Sequence, residues 1–229
     1  MQLGLSIIEA IVLFFAFRFE SAEKYRDARQ PEEMLTEESS PKALVAYPAT
    51  WVYAAYLLIY DGSETTVSNW LVAFMIRVRG ASPFLSSLCS SGFWTGTAIG
   101  RFSLGPVTDR LGVRLAVAIY LFSALAITML FAVVKAQYVS AGLVALLGFF
   151  FGPLFPSGII QLLRSLPIQL HVKGVSFVAS TGQVGGALLP YLLGAITESF
   201  GLEAFQYMVM VQVAITLAIW ILSLKLPAT

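Results

Sequence analysis

Asp61 and Glu64 stand three residues apart inside a long apolar run, and they are the residues of this sequence best suited to chemistry. On a helix that spacing places both carboxylates on one face. Ser68 and Asn69, a turn further on, extend the same polar stripe. An ionised carboxylate at the middle of a bilayer costs at least ~2.5–3.5 kcal/mol on insertion scales, and two so close together repel. A carboxylate that exchanges its proton at modest pH is what a proton-coupled carrier requires. The residues leave two readings open: a coupling site facing a cavity, or a pair packed silently within a bundle.

Other polar groups sit in apolar surroundings. Gln161, Gln183 and Gln212 are amides that must hydrogen-bond to a neighbouring helix or to a hydroxylated ligand. Trp70 suits a cavity wall or an interfacial position, and Trp51, Trp94, Tyr47 and Tyr138 suit interfacial anchors. The chain has a single cysteine, Cys89, and a single histidine, His171. No intrachain disulfide framework or multi-histidine metal site can form from them. No H-E-x-x-H, G-x-S-x-G or P-loop string occurs, so nothing points to an enzyme, a metal or a cofactor.

The elements that must position these groups follow from composition. Of the 229 residues, 58% are hydrophobic and 12% charged, against about 25% charged in a soluble domain. A water-soluble globular enzyme is excluded, and a net charge of +1 gives no electrostatic case for nucleic acid. A bilayer core needs about 20 apolar residues in helical form. Seven blocks approach that length, at residues 1–17, 51–76, 84–105, 115–134, 139–163, 175–199 and 204–224. The pattern predicts an all-α, multi-pass membrane protein: one transmembrane helix (1–17), a charged cytosolic linker (18–47) and a six-helix bundle (48–229). Basic residues favour one set of connections, with Arg110, Arg114, Arg164 and Lys173 among them, while Arg77, Arg79 and Lys135 fall on the other side. The positive-inside rule makes the first side cytosolic.

Within the bundle the two helix triplets have opposite orientations, the arrangement of an inverted repeat. Each triplet is predicted to begin with an interrupted helix, at "YDGSETTVSNW" in the first and "GFFFGPLFPSG" in the second. Pro153 and Pro156 must disturb the hydrogen-bond ladder there, and in lipid the freed carbonyls need partners. Gly92, Gly96 and Gly100 recur every four residues and line one helix face, as do Gly182, Gly186 and Gly194, with Gly185 and Pro190 between them. Such stripes let helices approach closely, either as fixed packing or as a sliding interface. The string from Gly100 to Arg114 puts Asp109 and Arg110 in a cytosolic turn, Gly112 at the reversal, and Arg101 two turns back as a candidate partner for Asp109.

Gly105-Pro-Val-Thr-Asp109-Arg110-Leu-Gly112-Val-Arg114 resembles the motif A loop of the major facilitator superfamily, in the copy between helices eight and nine, although Val113 blurs the second basic position. The wider string "NWLVAFMIRVRGASPF" and the run Gly185-Gly186-Ala-Leu-Leu-Pro190 are similar to fungal members related to the fucose/sugar-proton symporter branch. The resemblance implies helix six, the central cytosolic loop and helices seven to twelve of a partial twelve-helix fold. It implies a transporter of a small polar solute such as a sugar, working by alternating access and with protons as a coupling candidate. Asp109, Arg110, Gly105, Gly112, Arg114 and Arg101 would then belong to the cytosolic gate, and a plasma-membrane or endomembrane address would follow. Asp61, Glu64, Asn69, Trp70, Gln161 and Gln183 are the solute- or proton-pathway candidates on membrane physics alone. The expectation includes truncation: a half-transporter needing a second half or a homodimeric partner, with a non-transporting fragment or accessory protein as the alternative.

Overall fold

Pro48 and Pro83 open the first two long helices of the bundle, each in the first turn, where a missing N–H costs little. The computed structural model describes residues 41–225, which fall within one unit. In chain order the helices are α1 (Pro41–Ala46), α2 (Pro48–Arg77), α3 (Pro83–Leu111), α4 (Val113–Val133), α5 (Gln137–Phe151), α6 (Leu154–Leu163), α7 (His171–Phe200) and α8 (Ala204–Ser223). A short 3-10 turn, Ile168–Leu170, leads into α7. The predicted span at 1–17, and all of the linker before residue 41, lie outside the described residues.

The end of the linker is helical, contrary to its reading as a solvated stretch. Leu44 of α1 is buried, Thr50 Oγ1 donates to Leu44 O (2.9 Å) and Trp51 Nε1 to Val45 O (3.0 Å). Thr50 adds a second donor to Leu44 O, which also accepts from Tyr47 N–H (3.3 Å), and Trp51 serves Val45 O near the helix end.

The six predicted spans from 51 to 224 each coincide with a helical segment, α5 and α6 together forming one of them. By length and composition, three among the described residues can cross a membrane: Val113–Val133, Gln137–Leu163 and Ala204–Ser223. The other three, α2, α3 and α7, run to 30, 29 and 30 residues but carry more polar groups. Those polar groups have a common destination, described below. Large apolar side chains such as Phe84 (80%) and Phe102 (85%) stand exposed on the outside of the bundle. Surface of that kind is matched to lipid rather than water.

Helix α2 packs chiefly against α7, and α3 against α5, while α8 lies on α2 and α4 on α5. Exchanging the triplet α2–α3–α4 with α5/α6–α7–α8 turns the α2–α7 pairing into the α5–α3 pairing, and the α2–α8 pairing into α5–α4. This is the contact pattern of an inverted repeat. Both principal crossings depend on glycine. A Cβ on Gly96 would meet Ala145 O, one on Gly100 would meet Phe149 O, and one on Gly148 would meet Phe93 O. Across the other crossing, a Cβ on Gly185 would meet Leu58 O. Every obstacle is backbone, which cannot rotate aside as a side chain can.

The interruption expected in the first triplet is absent: α2 runs unbroken through Asp61–Trp70. Its hydroxyls are satisfied inside the helix, with Ser63 Oγ donating to Ile59 O (2.7 Å), Thr65 Oγ1 to Asp61 O (2.7 Å) and Thr66 Oγ1 to Gly62 O (2.6 Å). A polar run that back-bonds one turn up need not open the ladder. The interruption expected in the second triplet is present between α5 and α6, at Gly152-Pro153. Pro156 falls in the first turn of α6, so the two prolines share a single break.

Candidate functional site

The carboxylates of α2, the guanidinium of α3, the broken end of α5/α6 and the amide of α7 converge on one open cavity of about 540 Å³. Asp61, Glu64, Arg101, Trp94, Gln183 and Pro156 are among its walls, with Thr65, Phe155 and Gly186. The three helices too polar to pass as simple spans, α2, α3 and α7, all line it, together with the start of α6. Asp61 and Glu64 are both buried within the fold. Room for the Asp61 carboxylate exists because position 182 is glycine: a Cβ there would collide with Oδ2.

Arg101 joins the cavity to the helix break. Its Nη2 lies 3.8 Å from Glu64 Oε1, and its Nε donates to Gly152 O at 3.2 Å. Gly152 O is the carbonyl that Pro156, with no N–H, leaves unserved. The neighbouring carbonyls are served by α2: Tyr60 OH donates to Phe151 O (3.0 Å) and Tyr56 OH to Leu154 O (3.2 Å). The break therefore lies beside donors from two other helices, as lipid surroundings demand. Sequence reading anticipated that need without finding the donors. Gly62, between Tyr60 and Glu64 on α2, admits Leu189 and Gly185 at the α2–α7 crossing.

The predicted site residues separate on inspection. Asp61, Glu64 and Gln183 meet at the cavity. Asn69 is exposed and does not line it; eight residues after Asp61, it is turned about 80° around the helix. Trp70 is not a cavity wall, because its Nε1 donates to Pro190 O (3.1 Å) and its ring lies against Gly194. Trp94 takes that place instead of anchoring at an interface, and its Nε1 donates to Ser68 Oγ (3.2 Å). Gln161 belongs to a different cavity, beside Gly112, Arg114 and Arg164.

The motif from Gly105 to Arg114 is also rearranged. Gly105, Asp109 and Arg110 lie within α3, which continues through Pro106 to Leu111, so the reversal falls on Gly112 alone, with φ at 81°. A positive φ there is available to glycine at little cost. Arg101 does not pair with Asp109: eight residues along one helix separate them by about 12 Å, and Arg101 is engaged by Glu64 and Gly152. Gly92 faces Ala145, Gly96 and Gly100 admit α5, and Gly186 lies beside Thr65 at the cavity wall.

Comparison with known proteins agrees with this geometry. A family profile described as Major Facilitator Superfamily matches residues 43–229. Over 244 aligned residues the chain is 31% identical to Bypass of stop codon protein 6 of Saccharomyces cerevisiae, covering 95% of this chain and 49% of that protein. It is 31% identical to the glucose/mannose transporter GlcP of Bacillus subtilis over 147 residues, 62% of this chain and 35% of that protein. Among solved structures, the E. coli fucose:proton symporter FucP superposes with a TM-score of 0.73 at 14% identity, over 96% of this chain and 65% of that one. The chain thus spans about half or less of the length of these curated relatives, and the structural likeness bears on the fold alone.

Proposed function

The chain belongs to the Major Facilitator Superfamily, a family of membrane transporters and not of enzymes, and from that premise we propose that the Asp61–Glu64–Arg101 cavity is a solute site for a small polar molecule, a hexose, carried by alternating access. One observation carries the reading. Two carboxylates, a guanidinium, an amide and an indole from α2, α3 and α7 face one open volume beside a broken helix. Carboxylates and the Gln183 amide match sugar hydroxyls as acceptors and donors, and the Trp94 ring offers an apolar face to a pyranose. Sites of this kind in secondary transporters lie where helices are discontinuous. The likeness to GlcP of Bacillus subtilis, a glucose/mannose transporter, supports a hexose as the solute class.

In this reading Asp61 and Glu64 exchange the coupling proton, and Gly105, Asp109, Arg110, Gly112 and Arg114 form the cytosolic gate. A second six-helix bundle, in the same polypeptide or a partner copy, closes the open side of the cavity. The plasma membrane is the expected address. The test is uptake of radiolabelled hexoses into vesicles carrying the purified protein, with and without an inward proton gradient. Gradient-driven uptake that Glu64→Gln or Asp61→Asn uncouples is the expected result. Uptake with the same gradient dependence in both variants removes the coupling role, and no uptake of any hexose removes the solute class.

A further inference from the structure

Asp61 and Glu64 line the same cavity, yet their settings differ. From that difference we infer a division of labour: the coupling proton resides on Asp61 alone, while Glu64 and Arg101 together hold the solute. This division deepens the solute and coupling roles proposed above, on which it rests, by separating the two carboxylates.

Glu64 faces a cation. Arg101 Nη2 stands 3.8 Å from its Oε1, and that oxygen receives no hydrogen bond. A pair this long compensates the carboxylate charge without using up the hydrogen bonds that either group can make. Both residues line the cavity, and the Arg101 side chain is half exposed. A carboxylate accepts and a guanidinium donates. Two neighbouring hydroxyls of a pyranose can therefore meet both, one donating to Glu64 and the other accepting from Arg101.

Asp61 has no cation within ion-pair distance among the described residues. Its Oδ2 is buried, receives no hydrogen bond and is pressed against α7 at Gly182, where Leu57 of α2 borders the same spot. The titratable groups around it are Glu64, Tyr56 and Tyr60 on its own helix and Arg101 on α3. Helices α6 and α7 bring Phe155, Pro156, Gln183 and Gly186 to the cavity, none of them charged. Lys173 and Glu198 lie more than two turns from Gly182 along α7, and α8 contains no charged residue. A negative charge on Oδ2 in that place is costly, because neither water nor a donor reaches it. A proton removes the charge. The ionised carboxyl reaches water by turning from Gly182 into the cavity that Asp61 already lines. The protonated form thus has a dry position at the α2–α7 crossing, and the ionised form a wet one beside it. The O–H bond forms with a proton delivered by cavity water and breaks by returning that proton to water, after the cavity has changed sides.

Two measurements test the division. In the first, purified protein without solute is followed by infrared difference spectroscopy as the pH is varied. A carboxyl stretch that titrates apart from those of the exposed acids is expected in wild type and in Glu64→Gln, and is absent from Asp61→Asn. Gly182→Ala places a Cβ where Oδ2 stands, so it turns the carboxyl into the cavity and makes the stretch titrate with the exposed acids. In the second, radiolabelled glucose and mannose are followed in vesicles, both as gradient-driven uptake and as counterflow without a gradient. Asp61→Asn is expected to lose gradient-driven accumulation while keeping counterflow with KM unchanged. Glu64→Gln raises KM at least about tenfold in both modes, the value of one hydrogen bond to a charged group, and keeps its gradient dependence. A stretch lost in Glu64→Gln and kept in Asp61→Asn, no such stretch in wild type, a Gly182→Ala titration like that of wild type, or gradient-driven accumulation by Asp61→Asn overturns the assignment of the proton. No hexose transport by wild type overturns the hexose reading and the share of Glu64 with it, and the infrared comparison still decides where the proton resides.

Discussion

Glu64 and Arg101 face each other at 3.8 Å across the cavity, and the same guanidinium holds the Gly152 carbonyl at the break between α5 and α6. One side chain thus links a cavity carboxylate to the point where a neighbouring helix is discontinuous. A change in the charge of Glu64, or a solute that competes for Arg101, alters what the guanidinium can give to Gly152.

Replacement of Arg101 should therefore affect function far more than stability. The side chain is half exposed and the pair is long, so its contribution to folding is at most about 1 kcal/mol. Arg101→Gln is expected to shift the melting temperature of the purified protein by only a few degrees and to reduce vesicle uptake at least about tenfold. Arg101→Lys has no planar fork to reach both partners and should restore little. Full uptake by the lysine variant would disprove the double engagement.

The glycines divide by what surrounds them. Gly185→Leu and Gly100→Leu drive a side chain into backbone at the α2–α7 and α3–α5 crossings, and each should destabilise by at least about 1–3 kcal/mol. Gly142→Ala, in α5 with open space at the Cβ position, should be neutral or stabilise by up to about 1 kcal/mol. Thermal unfolding of the three variants beside wild type measures the contrast directly.

Trp70 and Trp94 separate in the opposite way. Trp70→Phe removes the indole donor to the Pro190 carbonyl inside the unbroken α7, a loss of about 0.5–1.5 kcal/mol in stability. Trp94→Phe gives up a hydrogen bond to a serine at the cavity rim and should leave unfolding nearly unchanged. Its effect is expected in the apparent solute affinity. Measuring melting temperature and concentration-dependent uptake for both variants tests the assignment.

Arg79 fastens the end of the bundle opposite the Gly112 turn. Its guanidinium lies 5.4 Å from the Phe74 ring and 5.2 Å from the Phe131 ring, and donates to Phe131 O, while Gln137 Nε2 donates to Arg79 O (2.9 Å). Arg79→Gln should destabilise by about 2 kcal/mol, combining the ring contacts with the lost bond. Unfolding of Arg79→Gln within experimental error of wild type would exclude this role.

Apolar run lengths carried most of the architecture. The six segments from 51 to 224 are readable because a bilayer demands long apolar helices, and Pro48, Pro83 and Gly112 mark their ends by local backbone rules. Asp61 and Glu64 were legible for the same reason, since charge is conspicuous in such runs. Partnership was not. Whether the polar stretch of α2 broke the helix depended on back-bonds one turn long. The donors to Phe151, Gly152 and Leu154 come from residues about 50 to 100 positions away in the chain.

Composition and run length were enough for the kind of protein, its helical segments and the pair of carboxylates inside an apolar run, because insertion energetics act on each segment separately. Helix packing alone assigns Arg101 to Glu64 rather than Asp109, puts Trp94 and not Trp70 in the cavity wall, and gives Gln161 to another cavity altogether. Those assignments depend on how α2, α3, α6 and α7 are rotated against one another. That rotation is set by the close approach of backbones at Gly96, Gly100, Gly148 and Gly185, a property of pairs of helices that no single stretch of sequence contains.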